Sequence, residues 1–221
     1  MPDKAPEWEI FLHKPPSWIE TLKWEEVFAP VSPGNQLSAH SAFRVPRSAF
    51  PIHVDLGAGD GGFIRARARN HPDVAFLGVE RLLGRARKIA RGAWRDSLPN
   101  MRALRIEATY AVEHLFPPGS VSSITILFPD PWPKRRHHKN RLVQTPFLEQ
   151  CARALGPGGW LALKTDDAPY FEHMQEALAA CAGLKPWPEA KAATLLPEST
   201  DFERDFVKEG RPIHFLAARR P

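Results

Sequence analysis

A carboxylate held between two prolines, beside a tryptophan and a run of cations, is the stretch of this chain best suited to chemistry. Residues 127–141 read Leu-Phe-Pro-Asp-Pro-Trp-Pro-Lys-Arg-Arg-His-His-Lys-Asn-Arg. The β-branched apolar run at 121–128 predicts a buried parallel strand leading into them. Asp130, between Pro129 and Pro131, has little backbone freedom. It falls at the carboxyl end of that strand, where open α/β sheets bind ligands, and is the candidate catalytic group. Trp132 offers a flat surface on which a base can stack. Lys134, Arg135, Arg136, Lys139 and Arg141, with His137 and His138 among them and no acid between, suit phosphate groups. The same run, taken alone, also fits a solvated basic loop.

A second constellation lies upstream. Residues 52–57 predict a short strand that runs into Gly57-Ala58-Gly59-Asp60-Gly61-Gly62 and then a helix through Arg69. Such glycines permit a tight turn and a close backbone approach to a ligand, and nucleotide and S-adenosylmethionine sites share the pattern. Residues 74–79 predict the next strand, which ends in Glu80. That is about 20 residues past the glycines, the spacing at which an acid can accept both ribose hydroxyls. The alternative for Glu80 is a strand-end cap.

Phe128-Pro-Asp-Pro-Trp-Pro-Lys-Arg-Arg-His-His-Lys139 resembles the signature of the tRNA (guanine-N7-)-methyltransferase family, and further blocks resemble that family in order from residue 52 to 217. The resemblance implies an S-adenosylmethionine-dependent enzyme that methylates N7 of a guanine in the variable loop of tRNA, with Asp130 in the active site. Asp55, where the family often has Glu, corresponds to the acidic start of the glycine motif and would hold the methionine end of the cofactor with Gly57 and Gly59. Glu107-Ala108 resembles the family's Asp-Ala step, which implies a contact to the adenine amino group. Asp166, in Thr165-Asp166, corresponds to an acid of the substrate site. Thr200-Asp-Phe-Glu203 resembles a Thr-x-Phe/Tyr-Glu element that faces the guanine edge, although Thr-x-x-Glu is also a helix capping box. Lys134, Arg135, Arg136 and Lys139 are the expected tRNA contacts.

Positioning these groups requires alternating strands and helices, hence a doubly wound α/β sheet, mostly parallel and seven-stranded if the family's version applies. The expected strands cover 52–57, 74–79, 101–106, 121–128, 160–165, a weak one from 184, and an antiparallel last one at 213–218. Residues 82–95 predict a two-faced helix. Leu82, Leu83, Ala86, Ile89, Ala90, Ala93 and Trp94 fall on one side; Arg81, Arg85, Lys88, Arg91 and Arg95 fall on the other, with Arg87 at the margin. That basic side is either a solvated face or a second phosphate-contacting surface. Thr145-Pro146 reads as a helix N-cap followed by proline at the first position, and residues 171–182 as a further helix. Residues 1–50, broken by prolines, form an N-terminal extension whose Trp8, Phe11, Trp18, Ile19, Leu22, Trp24, Val27 and Phe28 are positioned to pack on the domain at 51–221.

The 221 residues suffice for one domain with a real core. A net charge of +5 favours an anionic partner. Cys151 and Cys181 fall in helical patterns and read as small buried hydrophobes in a reducing compartment, with no metal site. No apolar run approaches the length of a membrane span. The family resemblance implies a cytoplasmic enzyme that acts on tRNA with no required protein partner, as a monomer or homodimer. Three other readings remain at this stage: a methyltransferase acting on another RNA or a small molecule, a nicotinamide dehydrogenase, which leaves the cations of 134–141 without a role, and a catalytically silent RNA-binding subunit on the same fold.

Overall fold

The structure, a computed structural model, describes residues 6–29, 50–188 and 193–221. The second half of the expected extension, residues 30–49, thus lies outside the described residues. Strands β1 (Leu12–His13), β2 (Ile52–Leu56), β3 (Ala75–Val79), β4 (Met101–Leu104), β5 (Val121–Leu127), β6 (Leu155–Thr165), β7 (Lys185–Pro186) and β8 (His214–Arg219) form one sheet in the order β1-β4-β3-β2-β5-β6-β8-β7. Pairing is parallel from β1 to β6, and β8 runs antiparallel to both β6 and β7. Seven of these strands match the expected set. The eighth, β1, comes from the N-terminal extension.

Helices cover both faces of the sheet, whose central strands β2 and β5 are largely buried on both. Ile52, Val54 and Leu56 of β2 join Ile124 and Ile126 of β5 on one face. Helices α1 (Trp24–Val27), α4 (Ala108–Tyr110, continued by a π turn to Leu115), α5 (Thr145–Ala154) and α6 (Ala168–Ala179) pack against them. On the other face Phe76, Met101 and Ala103 meet α2 (Gly62–Asn70) and α3 (Leu83–Arg95). The last helix, α7 (Asp201–Lys208), buries none of its residues.

Several boundaries differ from the sequence reading for local reasons. Gln144 occupies the N-cap of α5, because the Thr145 hydroxyl donates instead to the Ala177 carbonyl. Helix α6 begins at Ala168, three residues early, since the Asp167 carboxylate accepts from the Tyr170 N–H at 2.7 Å and caps it. The glycine-rich run 156–159 opens β6 rather than preceding it. Leu82 and Trp94, expected on the inner side of α3, are exposed. Cys151 and Cys181 are free and buried.

The N-terminal segment is a strap. Its 3₁₀ turn (Glu7–Phe11) lies against α3, β1 adds to the edge of β4, and the Leu22 N–H donates to the Leu115 carbonyl. Phe11, Leu22, Trp24, Val27 and Phe28 are buried as expected, whereas Trp18 (45%) and Ile19 (85%) stay exposed. Arg102, fully buried on β4, ties the strap to the sheet. Its guanidinium donates to the Pro99, Met101 and Ala29 carbonyls and lies 5.2 Å and 5.7 Å from the Phe11 and Phe28 ring centres. Burial pulls its pKa down to about 10, so it still carries its charge at neutral pH.

Phe11 is 0% exposed, so Phe11→Ala should cost about 3–5 kcal/mol in urea unfolding, the usual penalty for a phenylalanine-sized cavity. A cost below about 1 kcal/mol would mean that the strap rides on a surface that does not need it.

Candidate functional site

The ends of β2, β3 and β5 open onto one cleft of about 740 Å³, within the range of roughly 300–1,000 Å³ usual for small-molecule sites. Its floor is Leu56, Gly57 and Val79; Glu80, Glu107 and Asp130 bring carboxyl groups to its wall. Arg81 and Arg85 stand on one side and Lys139 and Arg141 on the other.

The glycine turn is built by backbone bonds. The N–H groups of Gly57 and Ala58 both donate to the Val79 carbonyl, at 2.9 Å and 3.0 Å, which folds the end of β2 over β3. Gly57 takes φ +80° there, a conformation costly to any residue with a Cβ. Gly61 serves α3 instead, since a Cβ on it would lie 2.9 Å from Ile89 Cγ1. Glu80, nearly buried, accepts from the Gly59 N–H at 3.1 Å and from the Leu82 N–H at 2.8 Å. One carboxylate therefore joins the glycine loop to the start of α3. Each oxygen keeps a free lone pair, so hydroxyl donors from the cleft can still bind. The Glu107 carboxylate accepts from the Tyr110 N–H at 3.0 Å and caps α4 while it lines the cleft.

Asp130 is exposed at the cleft rim, with one oxygen accepting from the Trp132 N–H at 3.1 Å. The residues flanking Pro129-Asp130-Pro131 are strained. Phe128 has φ +55° and Trp132 φ +46°, each costing on the order of 1–3 kcal/mol. The loop is anchored from beneath. Arg141, placed among the phosphate-binding cations by sequence, is 4% exposed. Its Nε donates to the Pro131 carbonyl at 2.9 Å, and its guanidinium lies 4.8 Å from the centre of the Tyr170 ring. Gln144 Nε2 donates to the His138 carbonyl at 3.1 Å. Lys134, Arg135, Arg136 and Lys139 project outward from this base, exposed.

The remaining expected site residues lie outside the cleft lining. Asp166, past the end of β6, pairs with Arg211. Lys164 Nζ and a Glu203 carboxylate oxygen are 2.7 Å apart and almost buried. The Thr200 hydroxyl accepts from the Glu203 N–H at 2.9 Å, and the two residues form a capping box at the start of α7. Arg81, Arg85, Gln144 and Gln150 line the cleft although the sequence assigned them no role in it. Arg81 carried a signal, as the cation next to the strand-end acid; the glutamines carried none.

Asp55 is buried behind the glycine turn, on the face away from Leu56. It accepts from the Thr125 hydroxyl at 2.7 Å; Thr125 meets His53 Nε2 at 3.1 Å, and His53 Nδ1 meets Ser123 at 2.8 Å. Thr125 has one proton to give. With Asp55 ionised, Thr125 donates to it and His53 must carry its hydrogen on Nε2. Burial, then the charges of Arg67 and His71, keep the His53 pKa well below its usual value. Asp55 moves the other way: burial raises it to about 7 against the opposing Thr125 bond and Arg67 charge, with Glu80 adding to the rise.

A family model described as a putative methyltransferase matches residues 49–216. Among curated proteins, a tRNA (guanine-N(7)-)-methyltransferase of Halorhodospira halophila is 37% identical over 174 residues, covering 77% of this chain and 75% of that protein. One of Alkalilimnicola ehrlichii is 34% identical over 191 residues, covering 85% and 78%. One of Treponema pallidum is 37% identical over 166 residues, covering 75% of this chain and 66% of its own length. Solved structures of similar fold include the 16S rRNA methyltransferase KamB, with TM-score 0.56 at 19% identity over 78% of this chain and 88% of that one. A geranyl diphosphate methyltransferase gives 0.52 at 16%, over 80% and 73%. At these identities the structures speak for the fold alone.

The raised pKa of Asp55 has a stability consequence. Folded protein keeps the proton that the unfolded chain releases near 3.8, so the stabilisation is complete below that pH and is lost as pH rises to about 7. At 1.36 kcal/mol per unit the loss is at most roughly 4 kcal/mol. Asp55→Asn lacks this titration, so relative to wild type it should gain stability from pH 4 to about pH 7 and level off above that in urea unfolding. A stability difference that does not change with pH would show that Asp55 titrates normally.

Proposed function

The chain belongs to the tRNA (guanine-N7-)-methyltransferase family, and from that premise we propose that it transfers a methyl group from S-adenosylmethionine to N7 of a guanine in the variable loop of tRNA. The observation that carries the reading is one cleft on which the glycine turn, Glu80, Glu107 and Asp130 converge, with exposed cations at its rim. The cleft fits the cofactor: its volume suffices, the space a Cβ on Gly57 would take has no protein atom within 4 Å, and its carboxylates match ribose hydroxyls and amino groups. Bound S-adenosylmethionine supplies an electrophilic methyl on a sulfonium.

The residues of the chain then have separable tasks. Gly57 and Gly59 let the backbone approach the cofactor, and Glu80 accepts from the ribose hydroxyls with the lone pairs its backbone bonds leave free. Glu107 accepts from the adenine amino group. Asp55, from behind the turn, sets the charge near the methionine end. Guanine N7 offers an in-plane lone pair and has no proton to lose, so no general base is required and the task is alignment. Asp130 orients guanine by accepting from its N1–H and exocyclic amine, and its charge stabilises the purine as it becomes cationic. Lys134, Arg135, Arg136 and Lys139 hold phosphates. Asp166, Thr200 and Glu203 complete the substrate side, where the Glu203 carboxylate has to serve Lys164 and guanine together. The enzyme works without an obligatory protein partner, as a monomer or homodimer in the cytoplasm; no helix among the described residues is long and apolar enough to cross a membrane.

Two variants separate cofactor from chemistry. Glu80→Ala should weaken S-adenosylmethionine binding by roughly 1.5–3 kcal/mol, the range for bonds to a charged group, while leaving tRNA affinity nearly intact; calorimetry on the folded variant reads this, and unchanged affinity would remove the ribose assignment.

Asp130→Asn keeps size but turns one acceptor into a donor facing guanine's donors. Single-turnover methylation of tRNA should fall by about two to three orders of magnitude, with no rescue above neutral pH and a much smaller loss of tRNA binding. Near wild-type turnover would reduce Asp130 to a loop cap, and label found at N1 or on a ribose would overturn the reaction.

A further inference from the structure

The basic side of α3 is not used by the reading above, apart from its start at the cleft. Five cations, Arg85, Arg87, Lys88, Arg91 and Arg95, are exposed along it, with Arg81 just before the helix, opposite the buried Ala86, Ile89, Ala90 and Ala93. Arg81 and Arg85 also line the cleft, so the stripe begins where the reacting base would sit. It continues along the 13 residues of α3, about 20 Å at 1.5 Å per residue.

Neutralisation along the stripe is incomplete. Asp60 lies 2.8 Å from Lys88 and 3.8 Å from Arg85. Asp96 takes three arginines at once, Arg65 at 3.0 Å, Arg69 at 2.8 Å and Arg95 at 2.9 Å. Of the eight cations of α2 and α3, five (Arg65, Arg69, Arg85, Lys88 and Arg95) share the two carboxylates of Asp60 and Asp96, and Arg67 pairs with Glu198. Arg87 has no ion-pair partner among the described residues, and Arg91 is held with its guanidinium 4.7 Å from the centre of the Trp8 ring. Exposed Trp94 and Leu82 interleave with these charges. A face required only to be soluble would alternate signs, because like charges four residues apart, as at Arg87–Arg91 and Arg91–Arg95, each cost about 0.2–0.5 kcal/mol. Gly92 adds a packing detail to the same end: a Cβ there would lie 2.7 Å from Arg65 Nη1, so its absence lets Arg65 lie across α3 and extend the positive surface onto α2.

We propose that the outer face of α3 is a second docking track for the phosphate backbone of a structured RNA, distinct from the 134–139 loop and on the other side of the cleft mouth. The proposal rests on the tRNA reading: with the target guanine in the cleft, the loop grips one side of the substrate and α3 the body of the folded RNA. An isolated hairpin carrying the guanine reaches the loop, whereas full-length tRNA reaches both.

The test is the triple variant Arg87→Gln/Lys88→Gln/Arg91→Gln, none of whose positions lines the cleft, with Arg87→Gln alone as the variant least able to disturb the fold. Binding of full-length tRNA is measured over a salt series, with a hairpin, anionic phosphatidylserine vesicles and S-adenosylmethionine as further ligands. The triple variant should bind full-length tRNA about tenfold more weakly near physiological salt. The slope of log affinity against log salt should flatten by about two to three, and by about one for the single variant, as counterion release requires. Hairpin binding, cofactor binding and the single-turnover rate at saturating tRNA should not change. Unchanged slopes in both variants would overturn the track. So would equal losses for hairpin and tRNA, which point to a diffuse field, or a loss confined to vesicles, which points to a lipid surface. Wild-type protein that binds tRNA through this face but methylates none would sink the activity and leave the track standing.

Discussion

The Glu80 carboxylate is the point on which the site depends. One side chain at the end of β3 accepts from the Gly59 N–H and from the Leu82 N–H, so the glycine turn after β2 and the first turn of α3 cannot move independently. Losing Glu80 takes the charged acceptor from two part-buried amide donors, a cost of at most about 1–3 kcal/mol each. The same bridge fixes the floor of the cleft and the direction in which α3 leaves it. The shape of the cleft floor and the placement of the basic helix face are therefore set by one group.

A second constraint acts at the opposite wall. Phe128 and Trp132 hold left-handed backbone conformations and are kept there by what lies beneath, the buried Arg141 against the Pro131 carbonyl and the Tyr170 ring. The strained turn carries Asp130 outward. Strain at a functional turn persists only where its surroundings over-determine it, and here a cation from the basic run serves as the support. Position within the run thus separates cations aimed at solvent from the one that holds their platform.

Much of the architecture could be read from the sequence because its signals are local. The parallel strands show as short, largely apolar runs, and the ends of β2, β3 and β5 are marked by a glycine, an acid and a proline. The convergence of Gly57, Glu80, Glu107 and Asp130 on one cleft follows from strand ends that a doubly wound sheet must bring together. What failed had nonlocal causes. Nothing near Arg141 says that Tyr170 waits under it, and nothing near Leu82 or Trp94 says that the core stops short of them. Thr145 reads as a cap until the Ala177 carbonyl on α6 claims its hydroxyl. The two-residue strand β1 has no pattern of its own and exists because the edge of β4 offers unpaired backbone groups.

That last pairing sets an order of events during synthesis. Leu12 and His13 find their partners at Ala103 and Leu104, so the strap cannot dock until some ninety further residues have left the ribosome, roughly 5–20 s at 5–20 residues per second. Until then Phe11 and Phe28 have no cavity to fill and the Ala29 carbonyl has no Arg102 to accept from. Once seated, the strap covers the β4 edge of the sheet, which a nascent fold would otherwise present to its neighbours on a polysome. The N-terminal strap thus acts as a latch on that edge, which would otherwise be open to strand addition.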